Sequence, residues 1–152
     1  MKLLFLAASL MTMGASGANL GDLKTVYLLP MPGGLDQYLA IRLTTGSILQ
    51  VVTDPQKADA IFTDRIGSGL EETLAELYNE KSKDKDKDDA QTFTKPSMQS
   101  ITRGRGTVFL VDRKTRNVVW ATTERPRNSS ADEMNHIADR VAGKLEKSIK
   151  GK

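Results

Sequence analysis

The chain predicts an α/β fold of the mixed α+β kind: a single mixed sheet of about five strands, three main helices, and the order βαββαββα. Three observations carry that expectation. Short apolar runs closed by proline, glycine or asparagine alternate with stretches of helical periodicity. Two apolar arms, residues 106–112 and 117–123, flank the polar loop Arg113-Lys114-Thr115-Arg116, a strong hairpin pattern. Near the carboxyl end, Met134, Ile137, Ala138, Val141, Leu145 and Ile149 share one face of a long helix.

The elements follow in order. Residues 24–29 form a short apolar run stopped by Pro30 and Pro32, a first strand. Gly33 and Gly34 open a helix over 35–45, with Leu35, Tyr38, Leu39 and Leu43 at helical spacing, and Gly46 is placed to close it as a left-handed cap. Residues 47–52 read as the second strand and 60–65 as the third. Between them, Asp54-Pro55 pairs a capping carboxylate with proline at a first helical position, which predicts a brief turn through Ala58. Ser68 with Glu71, and Ser130 with Glu133, have capping-box spacing and mark two later helix starts. The first of those helices puts Leu70, Leu74, Leu77 and Tyr78 on one face. Lys144, Lys147, Lys150 and Lys152 stand toward the negative end of the second. Both hairpin arms are apolar on both faces, which predicts central strands covered on each side, with Trp120 buried.

Residues 79–105 break the pattern. Lysine and aspartate alternate from Lys81 to Asp89, too polar a run to offset its ordering entropy, so a flexible charged loop is expected there.

The amino end carries an address. Met1-Lys2 supplies one positive charge, Leu3 to Met13 are apolar apart from Ser9 and Thr12, and Gly14 to Ala18 are small. This is the layout of a signal peptide over residues 1–18, with the mature domain, 19–152, beginning at Asn19. A spanning helix needs about 20 apolar residues, so the segment is too short to stay as an anchor. The chain has no cysteine. It therefore lacks the residue that bears the lipid of a bacterial lipoprotein, and an exported domain must hold together without disulfides. Removing residues 1–18 of the 152 leaves 134, enough for one domain. The formal charge of +3 becomes +2 because Lys2 is the only charge removed, a balance too mild to imply nucleic acid.

Catalytic chemistry has few carriers. The single histidine, His136, stands beside Asp139 and Arg140 on a polar helix face. Ser129 and Ser130 adjoin a helix start, where capping accounts for them. No HEXXH, GXSXG or phosphate-loop pattern occurs. Asp84, Asp86 and Asp88 resemble the start of a calcium loop, but Asp89 stands where glycine is needed and Lys95 where the bidentate glutamate belongs. Neither a metal nor a cofactor is expected. Asn128-Ser129-Ser130 matches the acceptor pattern for N-glycosylation, which applies only to a eukaryotic source.

Two binding surfaces emerge. From Arg103 to Arg127 seven cations (Arg103, Arg105, Arg113, Lys114, Arg116, Arg125, Arg127) outnumber Asp112 and Glu124. Pairing Asp112 with Asn117 brings Arg103, Arg105, Arg125 and Arg127 together at the open end of the hairpin, with three cations at its tip. The four arginines are the candidate contact for an anionic partner; a solvated rim that blunts edge association is the competing explanation. The alternative surface is the turn at Gly33 and Gly34, where amides could receive an anion or small ligand at a helix start, against a plain tight turn.

Lys57-Ala58-Asp59-Ala60 entering a strand, then Phe109-Leu110-Val111-Asp112, Thr115 and Val118-Val119-Trp120, resembles small exported bacterial α/β domains. These are of the curli-secretion lipoprotein, penicillin-binding-protein activator and TolB amino-terminal type. The resemblance implies a non-catalytic binding or envelope-assembly module, periplasmic or secreted, whose partner is an envelope protein or anionic polymer. It transfers no catalytic residue. Here Arg116 stands where that pattern usually has glycine, and the lipid-bearing cysteine is missing. A small-molecule or anion carrier is the alternative.

Overall fold

The computed structural model of the protein describes residues 19–79 and 106–151. It is one five-stranded mixed sheet with three α-helices, as the sequence predicts. The strands are β1 (Thr25–Leu28), β2 (Gln50–Val51), β3 (Ala60–Thr63), β4 (Thr107–Asp112) and β5 (Val118–Thr123), and the helices α1 (Leu35–Thr45), α2 (Ser68–Asn79) and α3 (Ala131–Lys150). The sheet runs β2-β1-β3-β4-β5. β1 is parallel to both β2 and β3, whereas β3–β4 and β4–β5 are antiparallel. The charged segment and Asp84–Asp88 lie outside the described residues.

The two faces bury different helices. Val26, Ala60, Phe62, Val108 and Leu110 pack under α1 and α3, with Leu35, Leu39 and Leu43 from the first and Met134, Ile137, Ala138, Val141 and Leu145 from the second. Each large side chain so buried contributes roughly 1.5–3 kcal/mol, so this layer dominates the core. On the opposite face Ile61 and Val111 meet Leu70 and Leu74 of α2, with Leu77 and Tyr78 partly buried beside them. Both helix faces are those the spacing predicts.

Local chemistry explains where elements begin and end. The Asp54 carboxylate accepts the Gln56 N–H at 3.0 Å and Pro55 starts a single 3-10 turn, as expected. α1 spans the predicted residues, but its left-handed closing position falls one residue later than predicted. Gly46 is right-handed at φ −80 and Ser47 takes the left-handed position at φ 50, with Ile48 N–H bonded to Leu43 O and Ser47 N–H to Thr44 O. That cap consumes Ser47 and Ile48, so β2 is shorter than residues 47–52. β3 stops at Thr63 because its hydroxyl turns back on the chain, accepting the Arg65 N–H at 3.2 Å.

α2 starts at Ser68 itself, so Gly67, at φ 87, occupies the position expected for Ser68, and its carbonyl accepts the Glu71 N–H. At α3 the Ser130 hydroxyl does accept the Glu133 N–H, at 3.2 Å. The Glu133 carboxylate does not return to Ser130 but takes the Arg127 N–H, while Asn128 accepts the Ser130 N–H.

The hairpin departs from expectation in one strand. β4 is central, but β5 is an edge. Leu110 pairs with Trp120 and Val111 with Val118, leaving Val119 as the extra residue of a bulge. Val119 and the half-buried Trp120 lean on the α1–α3 layer, whereas Val118 is 46% exposed. The bulge turns two adjacent residues toward one core, producing an apolar run without burial on both faces. Trp120 meets Phe62 edge-on at 6.2 Å and donates its indole N–H to Ser148 Oγ at 3.0 Å.

Candidate functional site, a cationic hairpin

The hairpin tip is built on two aspartates. Buried Asp112 accepts the Thr115 N–H at 2.6 Å and the Thr115 hydroxyl at 2.8 Å through one carboxylate oxygen, and its carbonyl accepts the Arg116 N–H at 2.9 Å. Asp59 anchors the turn from below, its carbonyl accepting the Arg113 N–H at 3.0 Å. The Asp59 carboxylate itself is spent on the backbone N–H groups of Lys24 and Thr25. Partial burial pushes its pKa up, but those hydrogen bonds and the nearby Lys114 charge outweigh burial, leaving it lowered.

This framework presents Arg113, Lys114 and Arg116 around Tyr78, near the carboxyl end of α2. The three cations and the phenol line an open concavity of about 270 Å³. The Arg113 and Arg116 guanidinium carbons stand 6.0 and 5.6 Å from the Tyr78 ring centroid, within cation–π range. The phenol donates to Pro55 O at 3.1 Å. Burial raises its pKa, an effect the two guanidiniums reduce without reversing, so it stays a neutral donor. Arg113 Nε is buried with no hydrogen-bond partner. Among the described residues no carboxylate lies within ion-pair distance of Arg113, Lys114 or Arg116. Arg116 holds φ 62, a conformation that favours glycine.

At the open end the predicted register is present: Asp112 N–H bonds Asn117 O, and the ladder continues to Glu124 N–H on Gly106 O at 2.7 Å. Arg125 and Arg127 are exposed there. Arg103 and Arg105 lie outside the described residues, so the structure places two of the four predicted arginines. Glu124 turns inward and is only 12% exposed, bonded to Arg140 at 2.9 Å and to Lys144. Its pKa is lowered, by the Lys144 hydrogen bond first and Arg140 after it, against an opposing push from burial. The acid that could have neutralised Arg125 and Arg127 is thereby committed to α3.

The Gly33–Gly34 turn is differently occupied. Both glycines are left-handed, at φ 70 and 71, and a Cβ on Gly33 would stand 3.0 Å from Met134 Sδ. The Gly34 N–H goes to Met31 O, and the Met31 N–H goes to the buried Asp36 carboxylate at 3.0 Å. A side-chain anion thus sits at this helix start already. His136 is exposed on α3.

Sequence reasoning assigned Tyr78 to the core face of α2 and missed its place in the tip concavity. The visible signal was Arg116 after Thr115, an arginine where a turn favours glycine. Comparison with family models, with curated proteins and with solved structures finds no match for this chain.

Proposed function

We propose that this chain is an exported, non-catalytic binding module of the cell envelope, periplasmic or secreted, that holds an anionic partner through the cations of its hairpin. The observation carrying this reading is the set of cations at the two hairpin ends, Arg113, Lys114 and Arg116 against Arg125 and Arg127, with no carboxylate of the described residues within ion-pair distance of them. Like charges gathered on one element repel, and the fold spends its nearby acids elsewhere. Guanidinium groups keep their charge at any relevant pH and grip carboxylate or phosphate in bidentate fashion. Two strands of six residues separate the ends, about 20 Å, a span suited to an acidic protein surface or an anionic polymer.

Export rests on the signal-peptide layout of residues 1–18.

Capture from envelope extract tests the reading. The partner should be retained at low salt, be released as salt rises, and be lost when Arg113, Arg116, Arg125 and Arg127 are changed to serine. Retention by that variant would overturn it. A small molecule co-purifying with both proteins would favour the alternative, a carrier working from the Gly33–Gly34 turn.

A further inference from the structure

We infer that the hairpin tip is a specific site for a phosphate group carrying two negative charges, formed by Arg113, Lys114 and Arg116 over the face of Tyr78. The inference deepens the anionic-partner reading and rests on it for biological sense, but its geometry stands alone.

Three observations converge on one place. Arg113 Nε is buried and lacks an acceptor, a cost that a bound oxygen would remove. Arg116 is held at φ 62, where a side chain is strained and glycine is not, so the turn keeps a guanidinium at the expense of an easier backbone. Both guanidiniums lie at similar distances from the Tyr78 ring, 6.0 and 5.6 Å, on the rim of one concavity of about 270 Å³ that Lys114 completes. The ring limits where the two forks can go, and ordering a long side chain in advance reduces what binding must offset.

The ligand class follows from charge and shape. A carboxylate needs one fork and carries one charge. A phosphate monoester offers three terminal oxygens and close to two charges, matching two forks and an ammonium. The neutral Tyr78 phenol, committed to Pro55 O, adds no repulsion. Free phosphate and the monoester headgroup of phosphatidic acid share this chemistry.

The test uses the purified protein and the side-chain Nε–H signals of arginine in heteronuclear NMR. Titration with inorganic phosphate at constant ionic strength should shift the Arg113 signal saturably, and chloride should not. Vesicles of phosphatidylcholine with and without phosphatidic acid form the second arm, and binding only to the former would place the same site on a lipid. In R113Q/R116Q either response should weaken by about tenfold or more, the loss expected when charged hydrogen bonds are removed.

R116G separates a ligand role from a structural one. It should bind as poorly as a site missing one fork while its melting temperature is unchanged or raised. If R116G melts lower and loses binding only in proportion, Arg116 merely holds the turn and the inference fails. It fails also if neither phosphate nor phosphatidic acid is bound, or if R113Q/R116Q responds like the parent. Retention of an envelope partner alongside such a failure would leave the broader anionic-partner reading intact.

Discussion

Gly106 stands just before β4, its carbonyl accepting the Glu124 N–H across the hairpin at 2.7 Å. At φ 86, a Cβ there would lie 1.6 Å from the Glu124 carbonyl oxygen, a backbone atom that no rotamer can move aside. Gly106→Ala combines backbone strain with overpacking and should cost more than about 3 kcal/mol, measured by denaturant unfolding. The outcome for Trp120 is milder than its apolar neighbours suggest. Because it is half-buried at a sheet edge, Trp120→Ala should cost about 2 kcal/mol, below the roughly 3–5 kcal/mol of a fully buried aromatic. Ser148→Ala, which removes the acceptor for the indole N–H together with the hydroxyl's own bond to Lys144 O, should cost about 1 kcal/mol.

At the scale of elements, Glu124 ties the end of the hairpin to α3, and that tie is sensitive to acid. Its folded pKa lies below the ordinary glutamate value of 4.5, so the unfolded chain takes up the proton first. The stabilisation is complete well above 4.5 and is lost as pH falls through the lower, folded value. Melting temperature followed from neutral pH downward should therefore drop less steeply in Glu124→Gln than in the parent below about pH 4.5. Asp59, lowered in the same direction, keeps some acid sensitivity in that variant.

The elements also show which features a sequence reveals. α2 and α3 were legible because burial on one side imposes a helical period on Leu70, Leu74, Met134, Ile137, Val141 and Leu145. The edge status of β5 was not, since the bulge at Val119 produces the same apolar run as a strand covered twice. The cap at Ser47 was misplaced because Gly46 advertises the conformation one residue early. Tyr78 was hidden for a different reason: its role depends on Pro55 and on a turn more than thirty residues away, and local spacing is identical for a core tyrosine. The two described arginines of the open end were legible from hairpin register alone.

Across the whole molecule the larger core joins distant parts of the chain. α1, at residues 35–45, packs on α3, at residues 131–150, and both cover the same sheet face. Deleting Ala131–Lys150 strips Met134, Ile137, Ala138, Val141 and Leu145 from that layer. The remainder should show no cooperative thermal transition and should bind a hydrophobic dye, and a sharp transition would mean that the other face folds alone. Synthesis makes α3 after every strand of the sheet. The sheet face that α3 covers therefore stays open until that helix has left the ribosome. Until then the nascent polypeptide lacks the layer that makes it compact. The helix that completes the core thus also sets the earliest moment at which this fold can close.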